Sequence, residues 1–350
     1  MRLLLLHTGG TLMMRGSSGS PPSHASLAEP ASALPEVRPL EPDVYTQDLL
    51  AELPVLRKIA EIEARILFNL DSADMQPRHW VEIGRAVHEG LPVYDGVVIV
   101  HGTDTMAYTA SALSFLLPGL NRPVVLTGSQ RPLTDVRTDA RTNLVDACLL
   151  ATSNIPEVGI AFGSKLLRGC RATKLDAWGM SAFGSPCCAP LAELGVGVNL
   201  APHTLPPRPP QPFDDRIEPR VMAFRTFPGL DPGLVLGALG TGVKGLVVEA
   251  FGTGNLPIQE NSLLPVLEAA RASDVPVVIV SQSPRGSVDL GRYAGGAAAA
   301  RGGAIGAGDM TAEAALTKLM ITLGRAGRGE AVRAAREAFA CAWAGEMSDP

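Results

Sequence analysis

The sequence predicts an α/β protein: a larger N-terminal domain built on a doubly wound, mostly parallel sheet, followed by a smaller C-terminal α/β domain. Three observations lead to this fold class. Short apolar runs alternate with segments of helical periodicity, which is typical of a sheet whose strands are joined by helices. Most of these runs end in a turn of glycine, threonine, serine or aspartate. A proline-dense stretch near residue 200 interrupts the alternation and indicates a linker.

The N-terminal domain is expected to contain five strands, at residues 3–6, 66–70, 96–100, 123–126 and 158–162. Each is a short apolar run bounded by turn residues, as buried strands of a parallel sheet are. Helical periodicity is found between them, at residues 76–88, 107–117 and 142–151. Residues 13–44 are rich in Ser, Pro and Ala, so we expect a mobile loop shortly after the first strand.

The proline-dense stretch sets the predicted domain boundaries. Residues 1–200 form the N-terminal domain, residues 201–220 the linker and residues 221–350 the C-terminal domain. A chain of 350 residues is long enough to bury a core in both domains. The C-terminal domain is expected to have strands at residues 245–249 and 277–281 and helices at residues 262–272 and 311–340.

The composition argues against several functional classes. Hydrophobic residues make up 46% of the chain and charged residues 19%, which is typical of a folded globular protein. A net charge of −5 without basic runs argues against nucleic acid as a partner. The apolar runs are far shorter than the ~20 residues that a membrane-spanning helix needs, so no membrane partner is expected.

The N-terminal leucines and the cysteines bear on location. Only four leucines follow Arg2, whereas a signal peptide has about 7–15 apolar residues. We therefore interpret this run as a buried strand. The five cysteines lack metal-ligand spacing, which favours reduced structural thiols over a metal site. These features together predict a cytoplasmic protein.

Two threonine-containing turns, at residues 8–11 and 101–105, each follow a predicted strand. The carboxyl ends of parallel strands lie at one edge of a sheet, and ligands bind there. We therefore expect Thr11, Thr103 and Asp104 to share that edge. A threonine hydroxyl becomes a nucleophile when a base or a polar field activates it, and this set of groups is suited to attack on a carbonyl.

Both turns also have a purely structural interpretation. The turn that contains Gly10 and Thr11 could be an ordinary connection between a strand and a helix, or a phosphate-binding loop, although it lacks the lysine of a P-loop. Glycine at position 10 would in either case let the backbone approach a ligand closely. In the second turn, Asp104 or Thr105 could simply cap the helix that begins near Met106.

Lysine is scarce in this chain, and Lys174 follows a tight turn. Unlike arginine, lysine can lose its proton when it is desolvated. If Lys174 folds back against Asp104, the two form an ion pair whose proton equilibrium depends on burial. The amine could then act as a general base for a threonine. The alternative is a solvated surface lysine.

A third turn, after the strand at residues 66–70, contains Asp71, Ser72 and Asp74. Asp71 and Ser72 are candidates to hold the amino and carboxylate groups of a small amino acid. Each could instead cap the helix that begins near residue 76, an interpretation that we favour for Asp74. His101 is interpreted as a packed core residue, because no serine or cysteine has the context of a nucleophile elbow.

The predicted turns contain five motifs: TGGT at 8–11, DSADM at 71–75, HGTDTM at 101–106, TGSQ at 127–130 and RATK at 171–174. Taken together, these motifs resemble the bacterial-type L-asparaginase family, and most closely its cytoplasmic type I branch. FGTGN at residues 251–255 and GDMT at 308–311 extend the resemblance to nearly the whole chain.

The resemblance implies hydrolysis of the side-chain amide of L-asparagine to L-aspartate and ammonia, without a metal or an organic cofactor. By the family pattern, Thr11 is the primary nucleophile. Thr103, Asp104 and Lys174 correspond to the family's second threonine with its aspartate and lysine.

The same resemblance implies the substrate-binding residues and the assembly. Asp71 and Ser72, with Thr103 and Asp104, would hold the amino-acid end of the substrate. Backbone N–H groups near Thr11, at Gly10, and near Ser129 would stabilise the oxyanion. Asn255 matches an asparagine that reaches the site of a neighbouring subunit, so a homodimer or homotetramer is expected.

One family feature is missing from the sequence. The family usually has a tyrosine in the loop after the first threonine, whereas no tyrosine precedes Tyr45 here. Two alternatives therefore stay open: a glutaminase or other small-amide amidohydrolase, and a catalytically weak amino-acid-binding protein.

Overall fold

The computed structural model describes residues 1–10, 12, 49 and 51–348. Thr11 and the loop expected at residues 13–44 lie outside the described residues. Within them, the predicted fold class is confirmed: a large mixed sheet with flanking helices precedes a smaller parallel sheet.

The first sheet has eight strands in the order β10-β9-β6-β5-β4-β3-β1-β2. The five strands from β5 to β2 in this order are parallel, and the other three are antiparallel to their neighbours. Strands β7 and β8 form a separate antiparallel ribbon. The bounds in chain order are β1 (Arg2–Gly9), β2 (Glu61–Leu70), β3 (Gly96–Val100), β4 (Val124–Thr127), β5 (Val158–Phe162), β6 (Lys165–Arg168), β7 (Thr173–Lys174), β8 (Phe183–Gly184), β9 (Ala192–Leu194) and β10 (Val198–Leu200).

Helices α1 (Pro77–Gly90), α2 (Met106–Leu116) and α3 (Ala140–Ala151) cover both faces of this sheet. The alternation of side chains along β1 shows how. Leu4 and Leu6 pack with residues of α1 and α2, whereas Leu3 and Leu5 pack with residues of α3. Because both faces are buried, the strand reads as an uninterrupted apolar run.

The second sheet has four parallel strands in the order β11-β12-β13-β14. Its strands are β11 (Val221–Arg225), β12 (Gly245–Ala250), β13 (Val277–Ser281) and β14 (Ile305–Gly306). The helices that follow in chain order are α4 (Pro232–Gly240), α5 (Leu264–Ala272), α6 (Ala294–Arg301), α7 (Ala312–Arg325) and α8 (Ala331–Phe339). None of the helices in the described ranges combines the length and apolar character needed to span a bilayer.

The single helix expected at residues 311–340 is wrong, because the chain forms two helices there. After α7 the backbone of Ala326 is extended, with φ −66° and ψ 145°. Gly329 then adopts a φ of +75°, which non-glycine residues rarely adopt. This turn lets α8 pack back against α7.

The segment after α8 returns to the N-terminal domain. Trp343 packs edge-on against Phe115 of α2, and the Cys170 thiol contacts the carbonyl oxygen of Ala344. Glu346 forms a fully buried ion pair with Lys318 of α7. The C-terminal segment therefore connects the two domains.

Candidate active site

Three turns meet at the carboxyl ends of β1, β2 and β3, which are neighbours in the sheet. Gly10 has a φ of +92°, and a Cβ atom there would lie 2.6 Å from the backbone nitrogen of Gly102. A Cβ atom at Gly102 would lie 2.6 Å from Ser72 Oγ. Glycine is thus required at both positions for the turns to approach each other this closely.

Lys174 lies where these turns meet. Its Nζ is 2.7 Å from Asp104 Oδ1 and donates a hydrogen bond of 2.9 Å to Thr103 Oγ1. The Lys174 side chain is 20% exposed, so the amine is partly desolvated, whereas the Asp104 side chain is 64% exposed. The structure thus brings Thr103, Asp104 and Lys174 together at the sheet edge.

Ser72 connects the second turn to the third. Its Oγ accepts a hydrogen bond of 3.3 Å from the backbone N–H of Asp104, and its carbonyl oxygen accepts one of 2.7 Å from Thr105 Oγ1. Asp71 Oδ1 accepts from the backbone N–H of Ala73, which caps a short 3₁₀ turn. Asp71 and Ser72 therefore adjoin Asp104, as the substrate-binding hypothesis requires.

The alternative interpretation of these turn residues as caps of helices α1 and α2 is not supported by the hydrogen bonds. Helix α1 is capped by Gln76 together with His79, so the interpretation of Asp74 as its cap is wrong. Helix α2 has Thr105 at its N-cap position without a side-chain hydrogen bond to the helix. The Thr105 hydroxyl group serves the Ser72 turn instead.

Ser129 contributes a buried hydroxyl group to the turn after β4. It is 2% exposed, and its Oγ has no hydrogen-bond partner within the ranges that the structure describes. A buried hydroxyl without a partner costs free energy, commonly about 1–3 kcal/mol. The Ser129 hydroxyl group lies beside the sheet edge, where a bound ligand would be a suitable hydrogen-bond partner.

The backbone of this turn is held by two polar residues that sequence reasoning missed. Asp139 accepts hydrogen bonds from the backbone N–H groups of Gln130 and Arg131. Asn143 donates to Asp139 and to the carbonyl oxygen of Gly128. The two side chains are one helical turn apart at the start of α3, and this spacing was the available signal.

Gln130 is a further residue at the site that sequence reasoning did not select. Its Oε1 accepts a hydrogen bond of 3.2 Å from Thr103 Oγ1. Its Nε2 donates to the carbonyl oxygens of Ala177 and Gly179, at 3.4 and 3.2 Å. Its place at the end of the TGSQ motif was the only sequence signal.

His101 is a core residue, as interpreted from the sequence. Burial lowers its pKa to about 4, so the ring is neutral at pH 7. Its Nδ1 is 2.7 Å from the carbonyl oxygen of Gly102, which only accepts, so Nδ1 carries the hydrogen. Nε2 then accepts from Thr109 Oγ1 at 2.9 Å. The ring therefore joins the Gly102 turn to α2.

The strand that carries Lys174 is held by the C-terminal domain. The Arg171 guanidinium contacts both carboxylate oxygens of Asp309, at 2.7 and 2.8 Å. Thr173 donates a hydrogen bond of 2.6 Å to Glu313. Burial raises the pKa of Glu313, although the bond from Thr173 opposes this. Residues 171 and 173 thus face the second domain, and Lys174 faces the first.

Asn255 lies elsewhere in the molecule. It follows β12, and its backbone N–H donates to the carbonyl oxygen of Phe251 at 2.8 Å. Among the described residues, its recorded contacts stay within the C-terminal domain. Its role in a neighbouring subunit's site stays a prediction.

The arrangement is suited to moving a proton. The Lys174 amine lies within hydrogen-bond distance of a hydroxyl group and a carboxylate, which is the geometry of a general base next to the group that it activates. The adjoining Asp71 and Ser72 add a carboxylate and a hydroxyl group to the same edge of the sheet.

Comparison with known proteins follows the two-domain organisation. The family described as "Asparaginase, N-terminal" matches residues 2–205, and "Glutaminase/Asparaginase C-terminal domain" matches residues 220–335. The L-asparaginase of Thermococcus kodakarensis is 40% identical over 335 residues, covering 95% of this chain and 96% of that protein. L-asparaginase 1 of Escherichia coli is 37% identical over 346 residues, 95% of each protein. A solved structure, the thermostable L-asparaginase from Thermococcus kodakarensis, has a TM-score of 0.86 at 38% identity and covers 100% of both chains.

Proposed function

Since this chain belongs to the L-asparaginase family of amidohydrolases, we propose that it hydrolyses L-asparagine to L-aspartate and ammonia through threonine chemistry. The observation that carries the proposal is the position of the Lys174 amine, which contacts Thr103 Oγ1 at 2.9 Å and Asp104 Oδ1 at 2.7 Å.

In the proposed reaction, the Thr11 hydroxyl oxygen attacks the side-chain carbonyl carbon of asparagine. The Thr11 proton passes to the leaving nitrogen, the C–N bond breaks and ammonia departs, which leaves an ester on Thr11. Lys174, in its neutral form, accepts a proton from Thr103, and Thr103 in turn accepts one from water. The hydroxide so formed attacks the ester carbonyl carbon, and the bond from that carbon to the Thr11 oxygen breaks. The proton held by Lys174 returns through Thr103 to the Thr11 oxygen, which restores the Thr11 hydroxyl group and the neutral amine. The released acid gives its carboxyl proton to water and leaves as aspartate.

Asp71, Ser72 and Asp104 are proposed to hold the substrate's amino and carboxylate groups. Their support is the pair of hydrogen bonds that joins the Ser72 turn to residues 104 and 105. Backbone N–H groups at Gly10 and near Ser129 are proposed to stabilise the oxyanion. The unpartnered Ser129 hydroxyl group supports a ligand contact in this region.

A cytoplasmic homodimer or homotetramer is proposed for the assembly, with Asn255 completing the site of a neighbouring copy. Its support is apolar exposure in the C-terminal domain: Leu234 of α4 is 68% exposed and Phe227 is 53% exposed. All five cysteines are free, as in a reducing compartment. Light scattering of the purified protein tests the assembly.

The decisive experiment measures ammonia release from asparagine by the Thr11→Ala and Thr103→Ala variants. Each is expected to lower kcat by at least about 1000-fold, because a nucleophile or its proton relay is lost. Thr241→Ala is the matched control, since among the described residues its hydroxyl group donates to the Ala238 carbonyl oxygen at the end of α4 and to no residue of the site. Wild-type turnover in both site variants would refute the proposal.

Glutamine in the same assay separates asparaginase from glutaminase activity. A higher kcat/KM for asparagine than for glutamine is expected. Stabilisation of the protein by asparagine without any ammonia release would instead indicate an amino-acid-binding protein.

A further inference from the structure

The geometry points to Gln130 as a positioning residue for the reaction: it fixes the Thr103 hydroxyl group between Lys174 and the loop of residues 175–182. This inference rests on the proposed threonine chemistry, because it concerns how Thr103 is presented to Lys174. In this inference Gln130 acts on the reaction through Thr103. The Gln130 side chain is itself held by residues other than Thr103, Asp104 and Lys174.

The orientation of the Gln130 amide follows from its anchors. Nε2 lies within hydrogen-bond distance of two carbonyl oxygens, those of Ala177 and Gly179. Carbonyl oxygens only accept hydrogen bonds, so the NH₂ group must face them. The amide oxygen therefore faces Thr103 and acts as an acceptor there.

The direction of the hydrogen bonds at Thr103 follows in turn. A hydroxyl group has one hydrogen, and Thr103 gives it to Gln130 Oε1 at 3.2 Å. The 2.9 Å contact with Lys174 must then be donated by the lysine. In the resting site, Thr103 therefore presents a lone pair to Lys174 and directs its proton towards Gln130.

This arrangement keeps the Thr103 oxygen within reach of Lys174 before the reaction. Proton transfer to the neutral amine then needs only rotations about the Thr103 C–O bond and the Lys174 C–N bond, with the oxygen already in place. Without Gln130, the hydroxyl group could leave this position for another χ1 rotamer. Small losses of alignment at reacting groups reduce the rate strongly.

The anchor of Gln130 is itself a structured loop. Asp176 Oδ1 accepts from the backbone N–H groups of Trp178 and Gly179, which shapes the turn that presents the two carbonyl oxygens. Trp178 is 94% exposed on this loop. Gln130 is therefore the side chain that joins the loop to Thr103, and Trp178 offers a way to observe that connection.

Gln130→Met is the first test, because methionine has a similar length without hydrogen-bonding groups of comparable strength. We expect kcat for asparagine to fall about tenfold with KM within twofold of wild type, since Gln130 has no recorded contact with Asp71, Ser72 or Asp104, which are proposed to hold the substrate's amino and carboxylate groups. The fluorescence anisotropy of the protein should also fall as the Trp178 loop loosens. Arg131→Met is the matched control, because the Arg131 side chain bonds to Asp135.

A second test combines Gln130→Met with Thr103→Ser. Serine lacks the γ-methyl group that restricts threonine rotamers, so it depends more on its partner. Gln130→Met should therefore cost more in the Thr103→Ser background, about 30-fold or more against about tenfold alone. Equal costs in the two backgrounds would refute the positioning role.

The outcomes separate this inference from the proposed function. Wild-type turnover in both the Thr11→Ala and the Thr103→Ala variants refutes the threonine chemistry itself. If Thr103→Ala is inactive and Gln130→Met has wild-type kcat, only the role of Gln130 is refuted. A Gln130→Met variant in which only KM changes also refutes that role. If Gln130→Met does not fold, Gln130→Ala in the same assays gives the same decision.

Discussion

Lys318 and Lys174 each pair with a carboxylate, but their surroundings are opposite. The side chains of Lys318 and Glu346 are both 0% exposed. Lys318 also donates to the Cys341 carbonyl oxygen, and Glu346 accepts from the backbone N–H groups of Trp343 and Ala344. Within the described ranges, the hydrogen-bond partners of both groups are other residues of the chain, so this pair joins two buried segments.

Lys174 instead shares its amine between an exposed carboxylate and a hydroxyl group. The difference teaches that an ion pair alone does not indicate catalysis. Lys174 differs from Lys318 because its neighbour Thr103 has a hydroxyl proton to give up. The two residues also lie at the solvent-exposed edge of the first sheet. The following predictions separate the two lysines, from the largest expected effect to the smallest.

Lys174→Met should abolish turnover, with a fall in kcat of at least about 1000-fold, because the general base is lost. Lys174→Arg should be equally inactive, since arginine does not give up its proton. Ammonia release measures both, with Lys244→Met, an exposed lysine, as control. Substantial activity of Lys174→Arg would contradict the assigned role.

Glu346→Gln should destabilise the fold and leave the chemistry of the folded protein intact. Removing one partner of a buried ion pair leaves an unpaired charge, which costs about 3–5 kcal/mol. Urea unfolding measures the loss. The double variant Lys318→Met with Glu346→Leu removes both charges and should cost less. A loss below about 1 kcal/mol for Glu346→Gln would show that the pair is not buried in solution.

The free energy of unfolding should fall as the pH drops from about 6.5 to about 4. Burial lowers the pKa of His101 from 6.5 to about 4, so the unfolded chain binds a proton in this interval that the folded chain does not. The shift corresponds to about 3 kcal/mol. His101→Gln should flatten the pH dependence measured by urea unfolding. His7, whose pKa burial also lowers to about 4, leaves a remaining slope in that variant.

Arg333→Met should have the smallest effect. Arg333 pairs with Glu330 and Glu337 on the surface of α8, and its side chain is 60% exposed. Exposed ion pairs contribute little to stability. The urea midpoint and kcat should both match wild type. A clear loss of stability would mean that this face of α8 is covered in solution, for example by another copy.

The sequence predicted best the parts of the fold that depend on continuous burial. The strands expected at residues 96–100 and 158–162 have the bounds of β3 and β5, because every residue in them is buried. Strands β6 to β10 were missed, since they are two to four residues long and carry no clear alternation. The expected domain limits at residues 200 and 221 stay a prediction.

The sequence allowed a site residue to be selected when its residue type is uncommon at the end of a strand. Thr103, Asp104 and Lys174 belong to that group, because threonine, aspartate and a rare lysine after strands suggest chemistry. Gln130 and Asp139 could not be found in this way. Their roles depend on partners that only tertiary structure brings near, such as the carbonyl oxygen of Gly179.

The hydrogen bonds between the C-terminal domain and the segment that leads into β7, the strand that carries Lys174, have a consequence for biosynthesis. Arg171 and Thr173 reach acceptors 138 and 140 positions further along the chain. When only the first two hundred residues have left the ribosome, Thr11, Thr103, Asp104 and Lys174 are present, but the carboxylates that hold β7 are not. The nascent enzyme should gain its activity only after Asp309 and Glu313 have left the ribosome and folded against this strand.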